Sequence, residues 1–189
     1  MNIMDIIEPV MVGPSSSHTA GAVKIGQISR KLLAEPVQQA EICFHGSFLA
    51  TGKGHGTDRA LVAGLLGLAV DDENIPNSFA IAAERNLTFS IHGIDLGDAH
   101  PNTVKMKLTG ESGRTLEIVA ASIGGGQIRI CEIDGLTANF CGEYPTLIVH
   151  NLDQPGHVTE VTSMLAHKSV NIATMQLYRC LLYTSPSPR

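Results

Sequence analysis

The sequence contains no run of basic residues, and its 13 lysines and arginines are outnumbered by 18 acidic residues, giving a formal net charge of -5. This balance argues against nucleic-acid binding as the main role, and no basic segment indicates attachment to a membrane surface. No stretch approaches the roughly 20 apolar residues that a membrane-spanning helix needs. The N-terminus also lacks the basic start of a secretory signal peptide, so we expect a cytoplasmic protein.

Cysteine pairs at ligand spacing are also missing. The four cysteines, Cys43, Cys131, Cys141 and Cys180, form no C-x-x-C pair. We therefore expect neither a disulfide framework nor a complete metal or iron–sulfur site within this chain. Walker and dinucleotide-binding motifs are absent from the sequence as well, which leaves little support for a nucleotide-binding protein.

The composition that remains is typical of a folded protein. Hydrophobic residues make up 43% and charged residues 16% of the 189 positions, enough for one domain or for one and part of another. Apolar residues at helical spacing predict helices over 17–35, 56–70 (with Thr57 or Asp58 as N-cap) and 77–86. Alternating apolar residues predict strands over 39–50, 87–96, 103–110, 114–124 and 126–136. The predicted fold class is α+β, with helices packed on a mostly antiparallel sheet.

A second, smaller unit is predicted after a linker at 141–145, so that the domains are 1–140 and 146–179. The pattern of the second unit predicts a strand over 146–152, a turn at 153–156, a helix over 156–167 and a strand over 171–179. Residues 180–189 form a serine–proline string that continues neither element. We therefore expect a non-native tail there.

Five polar side chains stand together at the predicted start of the first helix, in the segment GPSSSHTAGA. They are Ser15, Ser16, Ser17, His18 and Thr19. A helix N-terminus offers free backbone N–H groups and a partial positive charge, and the hydroxyls add donors, so the cluster suits a carboxylate or another small anion. The simpler alternative is that one serine caps the helix while the others are solvated.

Three further segments carry candidate site residues. In TGKGHGTD (51–58), glycines permit close approach to a ligand and His55 suits a general base, although a flexible turn is the alternative. In DAHPNT (98–103), His100 and Asn102 would point the same way if the chain were extended, and a polar turn is the alternative. In ASIGGGQI (121–128), three glycines within a strand pattern indicate a bulge or a backbone held close to another group.

In this order, the four segments resemble the β chain of the iron–sulfur-dependent L-serine dehydratases (L-serine ammonia-lyases). The resemblance implies α,β-elimination of L-serine to pyruvate and ammonia without pyridoxal phosphate. It also implies a heterodimer or larger assembly, in which a separate α chain holds a [4Fe-4S] cluster whose iron acts as a Lewis acid. The domain 1–140 is similar to the allosteric substrate-binding domain of some phosphoglycerate dehydrogenases. Residues 146–179 resemble the first half of a ferredoxin-like ACT domain, so we expect truncation near Arg179.

The resemblance further implies roles for individual residues. His55 and His100 are the candidates for the base or a proton relay. The substrate would be bound and oriented by Ser15, Ser16, Ser17, His18, Thr19, Thr57 and Asn102. A second hypothesis is a regulatory module that binds serine without catalysis, with an effector contacting Asn151, Asp153 and Gly156 in the ACT-like loop. An ordinary turn is the simpler explanation of that loop.

Overall fold

A computed structural model describes residues 11–152 and 154–178 of the chain. The α-helices in this part are α1 (Gly21–Leu33), α2 (Gly46–His55), α3 (Thr57–Leu66), α4 (Ser78–Glu84) and α5 (His157–His167). The strands are β1 (Val37–Phe44), β2 (Thr88–Gly93), β3 (Thr103–Gly110), β4 (Thr115–Gly124), β5 (Gln127–Ile133) and β6 (Leu136–Phe140). A π-helical turn, Ser16–Ala20, precedes α1, and a 3-10 turn, Ile75–Asn77, precedes α4. None of the helices in the described residues has the length and apolar character needed to cross a membrane.

The strands form one sheet with the order β2-β1-β3-β4-β5-β6. β1 and β2 pair in parallel, and the other four neighbouring pairs are antiparallel. The predicted α+β class with a mostly antiparallel sheet is therefore confirmed. β6 adds a strand to those predicted, because Asp134 and Gly135 both have positive φ and form a tight hairpin turn after β5.

One face of the sheet is buried beneath helices. Alternate residues of the central strands are inaccessible, and Ile42, Met106 and Ile118 are each 0% exposed. Ile25 of α1 and Leu61 of α3 are equally buried and complete the same core. This alternation follows from strand geometry, which sends successive side chains to opposite faces. The core fixes α1 and α3, whose first turns lie next to the candidate site.

Helices α1 and α3 cross at two glycines. A Cβ atom on Gly26 would lie 2.5 Å from the Leu61 carbonyl oxygen, and a Cβ atom on Gly64 would lie 2.1 Å from the Val23 carbonyl oxygen. Both contacts are with backbone atoms, which cannot yield unless a whole helix moves. The two helices therefore pack backbone against backbone, at a separation that glycine permits and larger residues do not.

The main correction to the predicted elements concerns residues 45–55. The strand predicted over 39–50 ends at Phe44, and the glycine-rich segment expected before the next helix forms the second half of α2. Glycine disfavours helix, but Phe48 is only 1% exposed and packs edge-on against Phe44 with ring centroids 5.8 Å apart. Burial of this aromatic ring outweighs the weak helix propensity of the glycines.

The described residues divide into two compact units between Tyr144 and Pro145. In the second unit, α5 lies where a helix was predicted, but the described residues 146–152 and 171–178 form no strand. The two strands predicted there are therefore wrong for this structure. A strand needs a neighbour for its backbone N–H and C=O groups, and within the described part of this unit these two segments do not pair. The ACT-like fold and the domain bounds stay predictions, and Arg179 and the tail 180–189 lie outside the described residues.

Candidate functional site

The serine run lies in the π-helical turn before α1. Ser15 is the N-cap of this turn, and its Oγ accepts a hydrogen bond from the His18 N–H at 3.3 Å. Ser16, His18 and Thr19 are buried, while Ser17 is half-buried. One serine therefore caps the turn, as the simpler alternative requires, but the others are not merely solvated. π-helical turns are rare and are frequent at functional sites.

His18 is at the centre of the cluster and has hydroxyl groups at both ring nitrogens. Nε2 lies 3.0 Å from Thr51 Oγ1 and 3.3 Å from Ser47 Oγ, and Nδ1 lies 3.4 Å from Ser15 Oγ. Thr51 Oγ1 donates its proton to the Ser47 carbonyl oxygen at 2.9 Å, so this hydroxyl accepts from His18. This assignment places the ring proton on Nε2 and leaves Nδ1 to accept from Ser15.

His55 is the second imidazole of the cluster. Its ring centroid lies 4.9 Å from that of His18, with 62° between the ring planes, and the residue is exposed. Burial, followed by the charge of His55, lowers the pKa of His18, which keeps the inner ring neutral near pH 7. The structure thus brings the predicted base candidate His55 next to the predicted serine run. A neutral inner ring beside an exposed ring suits proton transfer at an open surface.

Helix α2 presents three of these side chains on one face. Ser47, Thr51 and His55 are spaced by four residues, which aligns them one above the other along a helix. Sequence analysis missed Ser47 because it placed this residue in a strand over 39–50, and it missed Thr51 because it treated 51–58 as a glycine-rich segment before the next helix. A spacing of four residues aligns side chains only in a helix. The four-residue spacing was the signal that could have found them.

His100 and Asn102 lie in a turn between β2 and β3, so the extended conformation considered from the sequence is wrong. The Asn102 N–H donates to Nδ1 of the exposed His100 at 3.1 Å, which leaves Nε2 for a ligand. The Pro101 carbonyl oxygen accepts from the Phe48 N–H at 3.3 Å, joining the turn to α2. No hydrogen bond or ring contact in the described chain links His100 directly to either imidazole of the cluster. Because Pro101 is bonded to Phe48, the turn lies at the start of α2, the helix that ends with His55.

Several buried side-chain oxygens near these elements have no hydrogen-bond partner. Within the part of the chain that the structure describes, they are Thr19 Oγ1, Thr57 Oγ1, Asn102 Oδ1 and Ser122 Oγ. The first three belong to the predicted substrate-binding set. A buried polar group without a partner costs about 1–3 kcal/mol, so such groups call for a water, an ion or a ligand.

Thr57 is the first residue of α3 and is fully buried. The residue before it, Gly56 (φ 68°), occupies the N-cap position, so the prediction that Thr57 or Asp58 caps this helix is wrong. The left-handed backbone at Gly56 ends α2 and begins α3 without an intervening loop. Thr57 faces Gly52, on which a Cβ atom would lie 3.5 Å from the Thr57 hydroxyl.

Ser122, near the end of β4, lies against both the turn that contains Asn102 and the first residue of α1, Gly21. Its N–H donates to the Asn102 carbonyl oxygen at 3.0 Å, and a Cβ atom on Gly21 would lie 2.1 Å from its Oγ. Glycines 124–126 have positive φ and begin the turn to β5, and the pairing register shifts between Ser122 and Gly124. This shift agrees with the bulge expected from the glycine run.

Comparison with known proteins identifies the family. The sequence matches the family model described as serine dehydratase beta chain over residues 2–132. The chain belongs to this family. It is 41% identical over 172 residues to the L-serine dehydratase, beta chain, of Peptoniphilus asaccharolyticus, covering 90% of this chain and 78% of that protein. The probable L-serine dehydratase, beta chain, of Bacillus subtilis (strain 168) is 40% identical over 178 residues, covering 94% of this chain and 80% of that protein.

The resemblance inferred from the four polar segments is therefore confirmed. Similarity also extends to the D-3-phosphoglycerate dehydrogenase of Bacillus subtilis (strain 168), which is 32% identical over 162 residues, 84% of this chain and 30% of that protein. A region similar to this serine dehydratase β chain thus forms part of a longer enzyme named for a different reaction.

The described residues of this serine dehydratase β chain do not fit an iron–sulfur cluster. Among them, no group of three or more His, Cys, Asp or Glu side chains could hold a metal ion. Cys43, Cys131 and Cys141 are half-buried free thiols, and Cys180 lies outside the described residues. A [4Fe-4S] cluster needs several cysteine thiolates around one point, and the described residues contain no such group.

Two further features lie outside the cluster around His18. In the second unit, Asn151 is exposed and Gly156 (φ 100°) precedes α5, while Asp153 of the predicted effector loop lies outside the described residues. In the first unit, a cavity of about 170 Å³ borders α1 and the segment after β6, and Lys24 and Glu143 are among its lining residues. This cavity contains none of the predicted site residues.

Proposed function

We propose that this chain is the subunit of an L-serine ammonia-lyase that binds the substrate and supplies a proton-transfer group. The observation that carries the proposal is the convergence of the serine run, the hydroxyls of Ser47 and Thr51, and His55 around His18. Hydroxyls and a helix start suit the carboxylate of an amino acid. An exposed imidazole beside them suits removal of a proton from the carbon next to that carboxylate.

The proposed reaction is an elimination followed by hydrolysis. A base takes the proton from the α carbon of L-serine, and hydroxide leaves the β carbon with a proton to give water and aminoacrylate. Aminoacrylate tautomerises to an imine, and water converts the imine to pyruvate and ammonia. The ring contact with His18 favours His55 as the base, and His100 is the second candidate for a proton relay. His18 would keep the hydroxyls of Thr51 and Ser15 oriented.

We further propose that an α chain completes the site and holds the [4Fe-4S] cluster, and that pyridoxal phosphate takes no part. The scattered positions of the cysteines in the described residues support a division of labour in which this chain supplies no cluster ligand. The exposure of His55 and His100 supports completion by a partner, because a self-contained site would bury its base. A cytoplasmic location stays a prediction.

The experiment that tests the function is anaerobic reconstitution. The chain is purified alone, mixed with a matching α chain, and pyruvate release from L-serine is followed. Activity in the mixture and none in either chain alone is the expected result. A mixture that assembles and carries the iron–sulfur absorbance but releases no pyruvate would refute the proposal.

Histidine variants then test the proposed roles. Loss of a general base lowers kcat by about 100- to 10,000-fold, so His55→Ala should lose activity on this scale. His100→Ala is measured alongside it. His92→Ala is the matched control, because His92 is an exposed histidine on the edge strand β2. Near-normal kcat in both His55→Ala and His100→Ala would remove the catalytic assignment.

A second function, an amino-acid-binding regulatory module, is favoured by one observation. The similarity to a region of D-3-phosphoglycerate dehydrogenase indicates that this kind of domain occurs in enzymes named for different reactions. In that case the chain alone should bind L-serine saturably, as measured by calorimetry, and an αβ mixture should lack activity that depends on His55. An effector site at Asn151 and Gly156 would be lost in Asn151→Ala, with binding at the His18 cluster unchanged.

A further inference from the structure

The loop between β2 and β3, residues 94–102, is fastened to the chain just before α2. At the start of the loop, the Ile94 N–H donates to the Phe44 carbonyl oxygen at 2.9 Å. The Leu96 N–H donates to Nδ1 of His45 at 3.1 Å. The side chain of His45 therefore binds a loop that lies 51 positions further along the chain.

The end of the same loop is held at the same place. The His45 N–H donates to the Thr103 carbonyl oxygen at 3.0 Å, and the Phe48 N–H donates to the Pro101 carbonyl oxygen at 3.3 Å. Gly46 (φ 56°) approaches so closely that a Cβ atom there would lie 2.6 Å from the Pro101 carbonyl oxygen. Both ends of the loop are thus fixed to the residues that begin α2.

The contact with Leu96 indicates which nitrogen of the His45 ring carries the proton. A backbone N–H only donates, so Nδ1 presents its lone pair and the neutral ring carries its proton on Nε2. The competing contact, with the Ile94 carbonyl oxygen at 3.4 Å, is longer. Asp95 Oδ1 lies 3.9 Å from Nδ1, but the Asp95 side chain is 92% exposed, so an ion pair there would contribute little. His45, whose side chain is 12% exposed, therefore supplies a hydrogen-bond acceptor and not a charge.

We propose that His45 is a positioning residue of the candidate site. It holds the 94–102 loop against the start of α2, so that His100 and Asn102 keep a fixed position relative to His55 on the same helix. His45 acts through the loop and does not contact the substrate. The catalytic consequence rests on the proposed function, whereas the tether itself rests on the contacts above. A displacement of about 1 Å at a reacting group can lower a rate about 100-fold, so the tether affects catalysis and not only folding.

Three variants at position 45 distinguish the effect of the hydrogen-bond acceptor from the effect of the size and shape of the side chain. His45→Asn puts an amide oxygen near the position of Nδ1 and keeps the bond to Leu96. His45→Gln is equally polar but carries its oxygen one carbon further out, and His45→Leu fills similar space without an acceptor. Asp95→Asn is the control for the ion pair. Urea unfolding shows which variants are folded, and the comparison of His45→Asn with His45→Gln suffices if His45→Leu is not.

Two readouts are measured: amide hydrogen exchange of the segment 94–103 in the full chain, and kcat and KM of the reconstituted αβ complex. We expect exchange of this segment to be about fivefold faster or more in His45→Gln and His45→Leu, since one hydrogen bond is lost. We expect kcat to fall about tenfold or more in these two variants with a smaller change in KM, and His45→Asn and Asp95→Asn to stay near wild type.

Wild-type exchange in His45→Gln or His45→Leu would overturn the inference. Equal losses of kcat in His45→Asn and His45→Gln would overturn it as well, because the acceptor would then be irrelevant. An inactive wild-type complex would refute the proposed function instead. The role of His45 in holding the loop would then be tested by hydrogen exchange alone. Faster exchange of the segment 94–103 in His45→Gln but not in His45→Asn would still support this role.

Discussion

Gly64→Ala is the change whose effect follows most directly from the structure. A Cβ atom on Gly64 would lie 2.1 Å from the Val23 carbonyl oxygen and 2.9 Å from the Gly26 Cα. Cβ contacts in proteins essentially never fall below 3.0 Å, so α1 and α3 would have to separate by about 1 Å. No side chain can relieve this clash, because both contacted atoms belong to the backbone.

The magnitude is the difference between two effects. Overpacking of a close contact costs about 1–3 kcal/mol, while replacing glycine by alanine within a helix contributes about 0.5–1 kcal/mol in the other direction. The difference is about 0–2.5 kcal/mol, and because the 2.1 Å contact is with the backbone, we expect the upper part, a fall of about 1–2 kcal/mol in the free energy of unfolding. With a urea dependence near 2 kcal/mol per molar, the unfolding midpoint should move down by about 0.5–1 M.

The assay is urea unfolding of the full chain, with Gly54→Ala as the matched control. Gly54 is also a helical glycine, but apart from the adjacent backbone of its own helix, no atom of the described residues lies within 4 Å of a Cβ placed there. Gly54→Ala should therefore be as stable as the wild type or more stable, by up to about 1 kcal/mol. If Gly64→Ala matched Gly54→Ala, the close crossing of α1 and α3 would be wrong. Activity should fall in Gly64→Ala too, because α1 carries the turn with His18 and α3 follows the helix with His55.

Two predictions concern the candidate site itself. The pKa of His18 is held below its usual value of 6.5, first by burial and then by His55, so the unfolded chain binds a proton at a pH where the folded chain does not. The free energy of unfolding should thus decrease as pH falls through about 6.5, and His18→Gln should weaken this dependence in urea titrations between about pH 5 and 8. Ser122→Ala removes a hydroxyl that is buried without a partner in the described structure, so the variant should be at least as stable as the wild type in urea unfolding. A clear loss of stability in Ser122→Ala would contradict this reasoning and indicate a structural hydrogen bond.

The parts of the fold that local patterns govern were predictable. β3 occupies the predicted range 103–110, and the helix predicted over 56–70 contains α3. The hairpin between β3 and β4 also follows from turn residues in the sequence. Each of these elements carries its own periodicity or turn chemistry, so neighbours in sequence are sufficient to specify it.

Helix α2 was not predictable in this way. Three glycines and few apolar residues give it no helical periodicity, and its stability depends on Phe48, whose ring packs against Phe44 and the His18 imidazole. The second contact joins positions far apart in the chain. The site was therefore predicted only in part: the serine run and His55 are together as expected, whereas Ser47 and Thr51 became visible once their segment was known to be helical.

The parallel pairing of β1 with β2 also bears on the order in which the chain folds. The four strands β3 to β6 pair with their neighbours in sequence through short turns, so this meander closes small loops and loses little chain entropy. By contrast, Ser47 and Thr51 meet His18 across separations of 29 and 33 positions, and β1 meets β2 only across the crossover with α2, α3 and α4. The meander is thus expected to form early, and the pairing of β1 and the contacts around His18 are expected to form later, because they join more distant positions.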